Sequence, residues 1–306
     1  MTKCHFVVEP VARSAVNAII VAMRIAIIGL GLIGGSIGLA LKKNNWRQAQ
    51  VVGYVRRKET GQVALKIGAI DKFELRLEKT IQDSDIVFIS TPVLTIKDIF
   101  TQITSHLPSD CIVTDTASTK SLVMSWAREL LPSQVSFIGG HPMAGKEKFG
   151  IKAADADLFK DSVYCLVKSS HATPLATQVM ADMVESIGAK PFFIAAKEHD
   201  RLVAGISHLP LLLSAALTLA TTQSSSWTQM SSLASNGYRD LTRLASGNPE
   251  VNSHICLSNK SAIIYWIDEF SKKLQRLSKL ISKGDKEIQN VLAIANEARK
   301  EWLEKR

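Results

Sequence analysis

The segment RIAIIGLGLIGGSIGLAL, residues 24–41, restricts the fold more than any other part of the chain. A short β-branched run leads into Gly29-x-Gly31-x-x-Gly34, and an apolar run of helical period follows at once. That order asks for a strand, a turn too tight for a side chain, and a helix whose first amides point at an anion. Gly29 permits the turn, Gly31 lets a pyrophosphate approach the backbone, the amides of Leu32 and Ile33 face it, and Gly34 lets the helix lie against the strand.

Further short, continuous apolar runs at 51–55, 86–90, 112–115, 136–139, 163–167 and 191–194 read as strands covered on both faces. Between them, residues 32–43, 60–66, 95–106, 120–131 and 174–187 have helical length and period. Beyond about Ala196 the strand patterns stop, and 199–220, 227–234, 250–281 and 285–303 read as helix alone. The expected fold class is α/β: an N-terminal Rossmann-type doubly wound parallel sheet over residues 23–196, then an all-helical domain over 197–306. Residues 1–22 are expected to be an N-terminal extension, with Met23 a candidate start. The stretch LPLLLSAALTLA at 209–220 is apolar nearly all round, which predicts a helix buried on every side, most simply inside an intertwined homodimer.

The chain carries 37 Lys and Arg against 28 Asp and Glu, a formal net charge of +9, so the placement of the excess matters. Residues 271–306 hold ten basic and five acidic side chains among Leu, Ile and Val at helical spacing. With no aromatic platform or basic block beside them, they read as the solvated face of a helix rather than a nucleic-acid surface. The same excess favours a small anionic substrate. Cys4, Cys111, Cys165 and Cys256 lie far apart with no C-x-x-C pair, so neither a disulfide framework nor a zinc site is expected, and a reducing, cytoplasmic setting follows. Residues 15–41 are apolar enough to suggest a membrane span, but Arg24 and the repeated glycines interrupt them, and no membrane partner is expected.

The second strand, VVGYV, ends where such units commonly place an acid for the ribose hydroxyls, and here Arg56 and Arg57 follow instead. Guanidinium groups pair with a ribose phosphate that a carboxylate would repel, so the expected cofactor is NADP.

Two loops at the ends of later strands carry candidate chemistry: Asp115-Thr-Ala-Ser118-Thr-Lys120 and Gly139-Gly-His141-Pro-Met-Ala-Gly145-Lys-Glu147-Lys148. His141 suits a general base, because a neutral imidazole takes a hydroxyl proton as hydride leaves the same carbon, and Ser118 is placed to orient that hydroxyl. His199 and His208 are nine apart on one expected helix, which points them to opposite faces; no metal site is expected.

GLGLIGGS, STP at Ser90-Thr91-Pro92, DTASTK, GGHPMAG, SHLP at 207–210 and NGYRDLTR at 236–243 together resemble the prephenate/arogenate dehydrogenases of tyrosine biosynthesis, from about Met23 to the last helix. The resemblance implies oxidative decarboxylation of an anionic cyclohexadienyl ring, with hydride passing to a nicotinamide and the ring carboxylate leaving as carbon dioxide. It also implies His141 at the ring hydroxyl, Ser118 as its helper, Arg243 on a substrate carboxylate, and Ser90, Thr91 and Pro92 beside the cofactor. Arg239 adds longer-range attraction, and Glu147 falls near the mouth of the site. Two departures bear on the substrate: Leu211 stands where some prephenate-type relatives carry a second histidine, and Asn252 where they carry an aromatic residue. With the missing acid after the second strand and GNPE at 247–250, the chain most resembles the NADP-dependent arogenate dehydrogenases of cyanobacteria. Three other readings compete: a prephenate dehydrogenase, a non-catalytic NADP-binding sensor, and an imine reductase, which gives no reason for GGHPMAG or RDLTR.

Overall fold

A computed structural model describes residues 22–305, so the N-terminal extension, apart from residue 22, and Cys4 lie outside the described residues. The first half runs β1 (Arg24–Ile28), α1 (Leu32–Lys43), β2 (Gln50–Tyr54), α2 (Lys58–Lys66), β3 (Lys72–Glu74), α3 (Leu77–Ile81), β4 (Ile86–Ile89), α4 (Ile96–Ile103), β5 (Ile112–Asp115), α5 (Ser121–Leu130), β6 (Ser136–Pro142), β7 (Val163–Lys168), α6 (Pro174–Ser186) and β8 (Lys190–Phe193). The eight strands form one sheet in the order β3-β2-β1-β4-β5-β6-β7-β8. Alternate residues of β1 enter two different cores: Ile25 and Ile27 pack on one face, Ala26 and Ile28 on the other. That double coverage is why the strand sequence is apolar without alternation.

The strand order reverses between β1 and β4, which places the glycine turn after β1 beside Ser90 after β4, at the crevice where open α/β sheets bind ligands. The expected all-parallel sheet is broken once: β7 runs antiparallel to β6, His141 facing Cys165 across the pair. The 20-residue stretch between these two strands holds only a short helical turn, Ile151–Ala153, in place of a crossover helix, so the chain returns beside β6 instead of crossing the sheet. β3 went unread because three residues, Lys-Phe-Glu, carry no strand period.

From Ala196 every regular element is helical: α7 (Ala196–Val203), a π-helical turn (Ala204–His208), α8 (Leu209–Thr222), α9 (Trp227–Leu233), α10 (Asn236–Thr242), a 3-10 turn (Arg243–Ser246), α11 (Pro249–Ser258), α12 (Lys260–Ser282) and α13 (Glu287–Glu304). The single helix expected over 250–281 is broken at Asn259, whose side chain is buried and bonded to other elements. In a lone protomer α8 is not buried all round: only Leu209 and Ser214 are fully covered. The run Ala196–Thr222 is long and apolar enough to cross a membrane by length and composition alone, with mean hydropathy 1.8 over its most apolar window.

Candidate active site

On the nucleotide side, each glycine of the turn answers a different demand. Gly29 adopts φ +100°, and a Cβ there would lie 2.5 Å from the Ser90 carbonyl oxygen. A Cβ on Gly34 would lie 2.2 Å from the Gly29 oxygen, so helix and strand meet there with no room for a methyl group. Gly31 faces open space, with nothing within 4 Å of an added Cβ. The first turn of α1, starting at Leu32 and Ile33, carries no acid. This is a cradle an anion fits, and a side chain on Gly31 would fill it. Thr91 and Thr95 share a hydrogen bond of 2.9 Å, and the Thr95 hydroxyl also donates to the Pro92 carbonyl at 2.7 Å, fixing the loop after β4. The Ser90 hydroxyl is buried without a partner among the described residues. Arg56 and Arg57 follow β2 exposed, with no carboxylate partner among the described residues.

On the catalytic side, the two loops singled out in the sequence are tied together beneath the surface. Asp115, at the end of β5, accepts the Ala117 amide at 2.9 Å and the Gly140 amide at 3.2 Å, and pairs with the Lys120 ammonium, which donates at 2.6 Å to the Gly140 carbonyl. Lys120 and Asp115 are both fully buried. Burial lowers the Lys120 pKa, and the Asp115 charge beside it opposes that shift. This pair fixes the strand bearing His141 against the loop bearing Ser118, which is itself half-buried.

His141 is buried and its Nδ1 lies 2.9 Å from Nε2 of His199, the rings edge to face at 5.1 Å. His199 Nδ1 lies 2.9 Å from Asp200 Oδ1. The Asp200 carboxylate also accepts the Lys120 amide at 2.7 Å and the Ser121 amide at 2.8 Å, the free donors at the start of α5. Burial pushes the Asp200 carboxyl up, but the bonds from His199, Ser121 and Lys120 outweigh it and hold it below its ordinary value.

The proton positions follow from this order by satisfying every donor. A carboxylate only accepts, so His199 carries its proton on Nδ1. Its Nε2 then accepts from His141 Nδ1–H, which leaves His141 Nε2 with a lone pair. Burial, and then the neighbouring His199, Lys120 and His208, keep His141 well below the usual histidine pKa. The result is a neutral imidazole with its accepting nitrogen turned away from the relay.

His199 and Asp200 are the residues that sequence reasoning missed. The available signal was the charged run KEHDR at 197–201 at the head of an otherwise apolar helix. The expectation that His199 and His208 face apart also fails. The wider π-helical turn rotates less per residue, and both rings act on His141. His208 Nδ1 accepts from Asn259 Nδ2 at 3.3 Å, beside the Ser118 backbone, and its Nε2 is buried without a partner among the described residues. Burial, opposed by Asp200, brings His208 down to about 4. Among the described residues no group of three or more His, Cys, Asp or Glu side chains is placed to hold a metal.

Arg243, on the 3-10 turn after α10, pairs with Glu147 of the loop after β6, so two residues 96 positions apart meet across the halves of the chain. Both are well exposed, at 57% and 39% of their side chains, so the pair is weakly held and opens readily to a competing carboxylate. Arg239 lies exposed on α10 and makes no ion pair among the described residues. Leu211 sits half-buried in the first turn of α8, and Asn252 lies on α11 against Gly247.

Comparison with known proteins finds matches along both halves of the chain. The profile of the prephenate dehydrogenase nucleotide-binding domain matches residues 37–192, and that of the prephenate dehydrogenase dimerization domain matches residues 195–295. Prephenate dehydrogenase of Lactococcus lactis subsp. cremoris is 35% identical over 268 residues, covering 86% of this chain and 72% of that protein. The crystal structure of Synechocystis arogenate dehydrogenase superposes with a TM-score of 0.77 at 31% identity, over 92% of this chain and all of that one. Prephenate dehydrogenase from A. aeolicus, in complex with hydroxyphenyl propionate and NAD+, superposes with a TM-score of 0.85 at 26% identity, over 92% of this chain and 98% of that one. A glycine cradle at one edge of the crevice, a buried imidazole at the other, and matches along both halves of the chain lead to one conclusion: this chain is an oxidoreductase of the prephenate/arogenate dehydrogenase family.

Proposed function

We propose that the chain oxidatively decarboxylates arogenate to tyrosine with NADP. The observation that carries the catalytic part is the Asp200–His199–His141 relay, which presents a neutral Nε2 at the C-terminal end of the sheet. The substrate is an anionic cyclohexadienyl ring, and His141 takes the proton of its hydroxyl while the hydroxyl-bearing carbon gives up hydride. The bound nicotinamide supplies the hydride acceptor. The ring carboxylate departs as carbon dioxide and leaves its electron pair in the ring, so aromatisation drives the step. Ser118 orients the hydroxyl. The planar fork of Arg243 exchanges Glu147 for a substrate carboxylate, and Arg239 adds attraction at longer range. Burial of His141 and Lys120 around the reacting carbon excludes water from it.

Gly29, Gly31, Leu32, Ile33 and Gly34 would receive the pyrophosphate, Ser90, Thr91 and Pro92 would lie beside the cofactor, and Arg56 and Arg57 would meet the ribose phosphate. The preference for NADP rests on these two free guanidiniums where an acid would serve NAD. Residues 23–196 act as the dinucleotide-binding domain, and 197–306 as the substrate-binding and dimerisation domain of a cytoplasmic homodimer. The similarity to enzymes named prephenate dehydrogenase favours prephenate, giving 4-hydroxyphenylpyruvate, as the second reading.

Initial rates of reduced cofactor formation with arogenate and prephenate, each offered NADP and NAD, separate these readings. Turnover mainly with arogenate and NADP is expected; equal use of prephenate overturns the substrate assignment. Arg56→Ala with Arg57→Ala should raise KM for NADP at least tenfold with little change for NAD. An unchanged NADP KM sinks the phosphate pairing.

A further inference from the structure

At the opposite end of the sheet from His141 lies a cavity of about 210 Å3 that none of the chemistry above uses. It opens where α5 ends, β6 begins and β7 ends. Phe137, on its wall, precedes His141 by four strand residues, which sets the two about 13 Å apart.

Ala127, Leu131, Val135 and Phe137 give the lining an apolar part, the exposed Arg128, Lys168 and His171 belong to it as well, and no acid lines it. Glu129, the acid next in sequence, is turned to Lys97. Arg128 and His171 have no carboxylate partner among the described residues, and the Lys168 ammonium lies 5.8 Å from the Phe193 ring centre. The Ser169 hydroxyl, also in the lining, is buried without a hydrogen-bond partner among the described residues. A buried hydroxyl with no partner costs stability, which a ligand oxygen would return once a rotation of the Ser169 side chain turns the hydroxyl toward the cavity.

We propose that this cavity is a second ligand site, which takes a small monocarboxylate with an apolar body. The carboxylate meets Arg128, Lys168 and the Ser169 hydroxyl, and the body lies against Phe137 and Leu131. A cavity of about 210 Å3 is below the range of drug-sized ligands, which limits the body to about one ring or a short branched chain. Two cations, Arg128 and Lys168, with no acid beside them exclude amines, and the apolar wall disfavours inorganic phosphate.

Benzoate is the probe, titrated calorimetrically into the full-length protein, with benzylamine as the same body bearing the opposite charge. The anionic active site is a competing place for benzoate, so Arg243→Ala serves as one arm and Arg128→Glu with Lys168→Glu as the other. The expected result is a benzoate binding event that survives Arg243→Ala, weakens at least tenfold in the double variant, is absent for benzylamine, and leaves KM for the ring substrate unchanged. Ser169→Ala, a smaller change, should weaken it about threefold, and the Arg128→Glu with Lys168→Glu variant and Ser169→Ala should keep wild-type turnover without benzoate. Absence of benzoate binding, binding lost in Arg243→Ala, or binding that the double variant and Ser169→Ala leave intact overturns the proposal.

Discussion

Asp200 combines two tasks that are usually separate. Its carboxylate caps the start of α5 through the Lys120 and Ser121 amides and holds the His199 proton on Nδ1. Asn can still cap a helix, but its amide has a donor to offer and no longer dictates the tautomer. Asp200→Asn is therefore expected to lower kcat by about 10² to 10⁴ with substrate KM within about threefold and a nearly unchanged melting temperature. A purely structural Asp200 would show the reverse: lost stability with turnover per folded molecule intact. The pH behaviour has two opposite signs. His141 and His208 both have folded pKa values below the ordinary 6.5, the latter at about 4. As pH falls below about 6.5 the unfolded chain binds their protons first, so stability present above that pH is lost as pH falls, for His208 down to about 4 at about 1.4 kcal/mol per pH unit. Catalysis instead holds, because folded His141 stays unprotonated: kcat/KM should be flat between about pH 8 and 6. A fall in kcat/KM centred near 6.5 would show that the relay does not keep Nε2 free. His141 was legible in the sequence because glycines and a proline frame it on a strand end. His199 and Asp200 were not, since their role depends on α7 lying against the start of α5, a tertiary contact with no local pattern.

At the scale of elements, the glycine turn separates fold from function at neighbouring positions. Gly34→Ala forces a Cβ to within 2.2 Å of the Gly29 oxygen and should lower stability by about 2 kcal/mol or more. Gly31→Ala meets nothing within 4 Å, so the melting temperature should hold while KM for the cofactor rises at least tenfold, because the methyl group takes the space a pyrophosphate needs. Equal loss of stability in both variants would contradict the cradle. Most elements were readable because strands buried on both faces leave unbroken apolar runs. Two of the exceptions share a physical cause: a side chain or turn committed to another element. Asn259 breaks the α11–α12 run to bond the Asp200 carbonyl at 2.8 Å and His208. The π-helical turn brings His208 round and seats Gly205 against Trp266. The reversal of β7 follows a long return loop that has the composition of any surface segment.

For the whole molecule, the helical half leaves much apolar surface uncovered in one protomer. Leu219 on α8, Leu241 on α10, Ile264 and Ile281 on α12 and Ile294 on α13 are all more than half exposed. A stable soluble protomer rarely shows so many. The dimerization-domain profile over residues 195–295 names the family's way of covering them. Sedimentation at micromolar concentration should show twice the 33.5 kDa chain mass, and Leu219→Lys should shift it to the monomer without unfolding the sheet domain. A wild-type monomer would contradict this.

The proposed reaction depends above all on His141 as the proton acceptor. His141→Asn keeps size and polarity but removes the basic lone pair. Its kcat, measured beside its affinity for NADP by quenching of intrinsic fluorescence, is the most direct test. A fall in kcat of about 10³ or more is expected, with NADP affinity within twofold of wild type. Turnover within tenfold of wild type, with the cofactor still bound, would contradict it.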